Sequence, residues 1–118
     1  MNKEKLRELG VDIDSAMERL GGNEILLKRL LKEFLVDPNY GELLEALEKG
    51  DTDRAFAAVH TLKGVCISLS LNRLYAPVSE MTEYLRSGDL ASAQVQLPAV
   101  AQAYEQLVED LRNCLDKE

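Results

Sequence analysis

Apolar residues recur every three or four positions along most of the chain, a pattern typical of amphipathic helices packed against a common core. Over residues 51–70 a helical wheel gathers the apolar side chains on one side: Ala55, Val59, Leu62, Cys66 and Leu69. From Leu97 to Cys114 apolar residues again alternate by three and four positions, the spacing of a bundle seam. The pattern favours helices over strands.

Capping and turn residues divide this pattern into separate helices. The predicted helices cover about residues 14–20, 24–36, 38–49, 52–70 and 72–86, followed by a last segment after Asp89. Pro98 is expected to kink or divide that last segment. Because the loops are short, neighbouring helices should run antiparallel. We therefore predict one all-α domain over residues 1–118, an antiparallel four-helix bundle with an additional short N-terminal helix.

Composition agrees with a small globular domain and excludes several classes of protein. The chain has 118 residues, of which 46% are hydrophobic and 5% aromatic. No apolar stretch is long enough for a membrane span, and the first residues lack the apolar region of a signal peptide, so we expect a cytoplasmic location. Cys66 and Cys114 fall on apolar faces without metal-ligand neighbours, which predicts reduced core residues.

Charge and histidine content narrow the chemistry further. A formal net charge of −7 argues against nucleic acid as a partner, because nucleic-acid binding needs many basic contacts to phosphate. A single histidine and the lack of a Cys-x-x-Cys-His motif argue against a haem or zinc site. A catalytic triad is not excluded by residue order, yet nothing marks any serine as a nucleophile.

His60, the only histidine, is the main candidate for chemistry. On the wheel it points roughly 140° from the centre of the apolar stripe, so its side chain should lie in solvent. Gly64 follows one turn later on the same side, although glycine costs about 1 kcal/mol relative to alanine inside a helix. Lys63 adds a neighbouring cation. An accessible imidazole, a gap beside it and a cation suit a histidine that carries a phosphoryl group.

This segment, His60-Thr61-Leu62-Lys63-Gly64, resembles the His-x-x-Lys-Gly motif of the histidine-containing phosphotransfer (HPt) domains of bacterial phosphorelays. The resemblance covers about residues 9–115 and includes the segments Gly10–Asp14, Leu20–Asn23 and Leu85–Asp89. Ile67 and Ser70 depart from it, since many members have small residues or glycine there, Ser70 replacing the second motif glycine. Serine is small enough for close helix packing, so we expect the fold to be retained, whereas Ile67 can narrow the choice of partner.

The resemblance implies a phosphocarrier and not an enzyme. His60 would accept a phosphoryl group from the aspartyl phosphate of a response-regulator receiver domain and pass it to another receiver aspartate. Lys63 would stabilise charge on the phosphoryl oxygens, and Gly64 would provide steric clearance. No cofactor is expected on this chain, because any Mg²⁺ would be held by carboxylates of the receiver. The implied partners are receiver domains and a sensor histidine kinase, and the domain is expected to be a monomer.

The exposed side of the same helix predicts a docking surface, formed by Phe56, Ala57, Ile67 and Ser68 around the histidine. In the alternative interpretation, Phe56 and Ile67 are shielded by neighbouring helices and belong to the margin of the core. Two other functions stay open. The chain can be the phosphoacceptor domain of a hybrid sensor or chemotaxis kinase, or a helical binding module in which His60 is an ordinary surface residue.

Overall fold

The computed structural model describes residues 2–115. In this range the chain forms seven helices: α1 (Lys3–Glu8), α2 (Ile13–Arg19), α3 (Glu24–Leu35), α4 (Asn39–Lys49), α5 (Thr52–Leu69), α6 (Asn72–Arg86) and α7 (Leu90–Leu115). The only β pairing among these residues is an isolated antiparallel bridge between Val11 and Leu71. The predicted all-α fold is therefore confirmed.

Helices α4 to α7 form the bundle, in which each helix packs against the next. At the start of α4, the ring of Tyr40 stacks on Tyr104 of α7 with a centroid distance of 3.8 Å. At the other end of α4, Gly50 lies beside Leu90, the first residue of α7. The two helices therefore run antiparallel. Helix α3 covers the bundle by packing against α5 and α7.

Helix α5 lies at the centre of the fold, in contact with α2, α3, α4 and α6. The apolar stripe predicted on this helix is buried over its whole length, with at most 3% of any of its side chains exposed: Ala55, Val59, Leu62, Cys66 and Leu69. Full burial of a side chain the size of leucine or valine contributes about 1.5–3 kcal/mol. This stripe fixes the rotation of α5, and the opposite side of the helix faces solvent.

The predicted capping residues start their helices as expected. The side chains of Asn23, Asp51 and Asp89 each accept a hydrogen bond from a backbone N–H in the first turn of the following helix. Helix α4 begins at Asn39, one residue later than predicted, and the Asp37 carboxylate accepts from the Asn39 backbone N–H at 2.8 Å. These caps place the helix ends within about two residues of the predicted positions.

Helix α1 was not predicted from the sequence, which indicated a single short N-terminal helix. The side chain of Asn2 accepts from the Lys5 N–H, and Leu6 is fully buried. Arg73 holds the end of α1 by donating to the Glu8 carbonyl at 2.6 Å. An isolated helix of this length is marginal in water, so α1 depends on these tertiary contacts, which a local pattern does not reveal.

Pro98 does not divide the last segment, because α7 continues without interruption from Leu90 to Leu115. Proline removes one backbone donor and disturbs the carbonyl four residues earlier. Contacts with other helices hold the N-terminal half of α7. Gln94 donates to the Leu47 carbonyl at 3.1 Å, and Gln96 donates to the Glu80 carboxylate at 2.8 Å. Of the two expected effects of Pro98, a kink or a division, the division is wrong, since the helix continues through this residue.

No helix within residues 2–115 is both long and apolar enough to cross a membrane.

Cys66 and Cys114 form no disulfide, and burial raises the pKa of the Cys66 thiol to about 12. Cys66 is buried, as the helical pattern predicts, whereas Cys114 is only partly buried.

Candidate functional site

His60 lies in the middle of α5, on the side opposite the buried stripe, and is exposed to solvent. The ring of Phe56, one turn earlier, stacks on the imidazole with a centroid distance of 5.5 Å and an interplanar angle of 18°. Phe56 therefore contacts the imidazole, while the His60 residue as a whole stays exposed. The predicted orientation of His60 agrees with the structure.

Gly64 lies one turn after His60 and is also exposed. A Cβ atom added at Gly64 would meet nothing within 4 Å outside its own helix. Its backbone is helical and does not have the positive φ that favours glycine. Neither packing nor backbone conformation therefore requires glycine here. The missing side chain leaves open space one turn from His60. That this space provides clearance for a bound group stays a prediction.

A groove opens beside Gly64, between α3 and α5. Its volume is about 360 Å³, and its lining includes Leu30, Glu33 and Phe34 from α3 together with Thr61, Val65 and Ser68 from α5. The Thr61 hydroxyl donates to the Ala57 carbonyl at 3.0 Å, so this side chain lies against its own helix. The groove extends the accessible surface from the histidine toward α3.

Lys63, the predicted cation, lies closer to the neighbouring helix than the sequence suggested. Only 21% of its side chain is exposed, and its Nζ is 4.0 Å from an oxygen of Glu83 on α6. Glu83 also pairs with Arg86, whose Nε lies 3.4 Å from the other carboxylate oxygen. The Arg86 guanidinium in turn lies over the Phe56 ring, 5.1 Å from its centroid. Charged groups of α6 thus border the side of α5 that carries His60.

The proposed docking residues differ in exposure. Ala57 and Ser68 are exposed, and Ile67 is 46% exposed. Phe56 is half-buried and packs against the core, so for this residue the shielded alternative describes the structure in part. The ring of Phe56 nevertheless contacts the imidazole. Whether these residues bind a partner stays a prediction.

The sequence analysis placed only residues of α5 around His60, and it missed Glu83 and Arg86 of α6. On α6, Glu83 and Arg86 are exposed, whereas Met81, Thr82 and Leu85 are buried. Helical periodicity does not show that Glu83 and Arg86 approach the histidine, because this depends on how α6 packs against α5.

A resident metal site has no structural support in the part of the chain that the structure covers. No group of three or more histidine, cysteine, aspartate or glutamate side chains converges there in a way that could hold a metal ion. The groups that the structure brings together around His60 are its imidazole, the cations Lys63 and Arg86, and the open space beside Gly64.

Comparison with protein families adds an independent finding. The family model of the Hpt domain matches residues 13–113, a range that begins at α2, ends within α7 and includes the whole of α5. No curated protein and no solved structure matches the chain.

Proposed function

Because the chain belongs to the Hpt domain family, we propose that it is a phosphotransfer protein in which His60 is the phosphoacceptor. Domains of this family carry phosphoryl groups on histidine in phosphorelays, where they interact with receiver domains and kinases. The observation that carries the assignment is the pairing of the sole, exposed histidine with Gly64, a glycine that neither packing nor backbone conformation requires.

The proposed chemistry is a phosphoryl transfer between histidine and aspartate. A neutral imidazole has one ring nitrogen with a free lone pair, which attacks the phosphorus of a receiver aspartyl phosphate. The new N–P bond forms while the P–O bond to the aspartate breaks, and the carboxylate leaves with the electron pair. The other ring nitrogen keeps its proton. Attack by a second receiver carboxylate reverses these changes and returns the lone pair to His60.

Lys63 would stabilise the negative charge that the phosphoryl oxygens bring to His60. It follows His60 by three residues, a spacing that places two side chains next to each other on a helix. Its ammonium currently pairs with Glu83 at the long distance of 4.0 Å, so this contact is weak enough to be replaced. Any Mg²⁺ would be held by the carboxylates of the receiver.

The receiver would dock on Phe56, Ala57, Ile67 and Ser68, with the groove beside Gly64 at one edge of the contact. Exposed apolar surface next to a reactive group is typical of a binding site. In this proposal the domain is a cytoplasmic monomer that exchanges phosphoryl groups with receivers and a sensor histidine kinase. It is a carrier without kinase activity of its own, because the sequence has no nucleotide-binding motif.

The proposal is tested by mixing the protein with a panel of receiver domains that carry a radiolabelled aspartyl phosphate. At least one receiver should pass its label to the parent protein, and none should label the His60→Gln variant. Phosphoramidate, a small donor that needs no docking surface, serves as a second source. A folded parent protein that takes no label from any receiver or from phosphoramidate would contradict the proposal.

A further inference from the structure

Among the described residues, Glu83 is the one carboxylate that pairs with both Lys63 and Arg86, the two cations that border His60. Its two oxygens face Lys63 at 4.0 Å and Arg86 at 3.4 Å. Both cations are tied to the histidine in other ways, Lys63 by its position on α5 and Arg86 by its contact with Phe56, which stacks on the imidazole. Glu83 is therefore connected to the surroundings of His60 through both cations.

A phosphoryl group at His60 would bring about two negative charges to this position. These charges would be attracted by Lys63 and Arg86 and repelled by Glu83. Glu83 also neutralises part of the attraction, because a cation paired with a carboxylate is a weaker partner for a second anion. Since the Glu83 side chain is 60% exposed, solvent screens these effects and keeps them moderate.

We propose that Glu83 opposes phosphorylation of His60 by competing with the phosphoryl group for Lys63 and Arg86. This inference rests on the proposed function of His60. Glu83 would then be a positioning residue that holds the two cations in place before transfer and releases them when the phosphoryl group arrives. By lowering the stability of the phosphohistidine, it would favour onward transfer to a receiver.

Glu80 provides a matched control on the same helix. It lies three residues before Glu83, is exposed, and accepts a hydrogen bond from Gln96 at 2.8 Å. It forms no ion pair with Lys63 or Arg86 in the described part of the chain. Glu80→Gln and Glu83→Gln change the net charge equally, so a difference between them reports the local position of the carboxylate.

The experiment measures the rate at which phosphoramidate labels the parent, Glu83→Gln, Glu80→Gln and Arg86→Gln proteins. In this reaction the imidazole nitrogen forms a bond to phosphorus, the P–N bond of the donor breaks, and ammonia leaves after taking a proton from water. All four proteins are labelled at the same pH, so their rates can be compared directly.

Glu83→Gln should be labelled about two- to fivefold faster than the parent at low salt, the range expected for an exposed charge pair. Arg86→Gln should be labelled more slowly, and Glu80→Gln at the parent rate. The difference between Glu83→Gln and the parent should shrink between about 0.1 M and about 1 M salt, because screening weakens charge interactions but not a structural change.

Equal rates for Glu83→Gln and a labelled parent would overturn this inference and leave the proposed function intact. The inference would also be wrong if Glu80→Gln accelerated labelling as much as Glu83→Gln, since net charge would then explain the effect. A folded parent that takes no label from phosphoramidate or any receiver would instead contradict the proposed function, and this inference would fail with it.

Discussion

Gly64 occupies the interior of an 18-residue helix, where glycine costs about 1 kcal/mol relative to alanine. The structure offers no compensation for this cost within the fold, because the space around the Cβ position is open and the backbone is helical. Under the proposed function, glycine at this position leaves clearance for a group bound to His60. A residue that weakens a helix without serving its packing is typical of a functional site.

Two substitutions at Gly64 distinguish its effect on the stability of the fold from its effect on phosphoryl transfer. Gly64→Ala should increase the free energy of unfolding by up to about 1 kcal/mol, because alanine has the better helix propensity. Gly64→Gln should remain folded yet transfer slowly, since the longer side chain occupies the space beside the imidazole. Chemical denaturation measures the first effect and label transfer from a receiver the second. Transfer by Gly64→Gln at the parent rate would show that clearance is not the role of Gly64.

Ser70 occupies the position of the second motif glycine. The sequence analysis expected the fold to be retained here, because serine is small enough for close helix packing. The structure shows that Ser70 ends α5 in the left-handed region, with φ of 55°, where glycine is normally preferred. Its hydroxyl accepts a hydrogen bond of 2.6 Å from Arg19. This long-range contact joins residues 51 positions apart in the chain, so local reasoning did not reveal it.

At the scale of the element, one side of α5 packs into the core and the other side carries the residues of the proposed phosphotransfer site. The buried stripe fixes which way the helix faces, and His60, Gly64 and Ile67 lie on the side that is left exposed. The orientation of the site was therefore predictable from one helical pattern. The contribution of α6 was not, because Glu83 and Arg86 reach the site only through the packing of α6 against α5.

The other differences also arise from contacts between elements. Helix α1 is held by Leu6 and Arg73. Helix α7 continues through Pro98, and its Gln94 and Gln96 side chains donate hydrogen bonds to α4 and α6. Caps and turns are local, so the starts of the longer helices were predicted closely. Whether a short helix such as α1 forms, or a proline interrupts a helix such as α7, depends on contacts between distant segments. A single sequence does not reveal these contacts.

Ile67 tests the docking surface on α5. Ile67→Asp should weaken binding to a receiver and slow the transfer of label, while changing the free energy of unfolding by no more than about 0.5 kcal/mol. Ile25→Asp is the matched control, because Ile25 is 84% exposed and lies in the first turn of α3, outside the proposed surface. Unfolding experiments and receiver titrations measure the two quantities. A large loss of stability with unchanged transfer per folded molecule would assign Ile67 to the core.

At the scale of the molecule, a formal net charge of −7 opposes the approach of any anionic partner. The two cations near His60, Lys63 and Arg86, offset this repulsion at the point where a phosphoryl group would arrive. Both are paired with Glu83 in the structure. The position of this carboxylate can thus change the phosphoryl affinity of His60 without altering the fold.

The stability of the whole molecule should fall as the pH rises above about 9. Burial raises the pKa of the Cys66 thiol from 9.0 to about 12, and burial also raises the pKa values of Tyr40 and Tyr104 above 10.0. Each group ionises at a lower pH in the unfolded chain than in the native protein. The stabilisation is therefore complete below the unfolded pKa and is lost as the pH rises toward the folded one.

The free energy of unfolding, measured by chemical denaturation between about pH 8 and about pH 11, tests this prediction. Tyr104→Phe keeps an aromatic ring for the stack on Tyr40 but removes a phenol, so it should make the pH dependence shallower. Cys66→Ala should also make the pH dependence shallower near about pH 9. This holds whatever the substitution does to the free energy of unfolding itself. Equal pH dependence in the parent and both variants would contradict the assignment to these buried groups.

The sharpest test of the proposed chemistry is to locate the phosphoryl group after the protein has been labelled by phosphoramidate or a receiver domain. Tandem mass spectrometry under neutral conditions should place the group on His60. The His60→Gln variant should take no label while its helical circular dichroism and melting temperature stay close to those of the parent, because His60 is exposed. Persistent labelling of that folded variant, or a phosphoryl group found on another residue of the parent, would contradict the assignment of His60 as the phosphoacceptor.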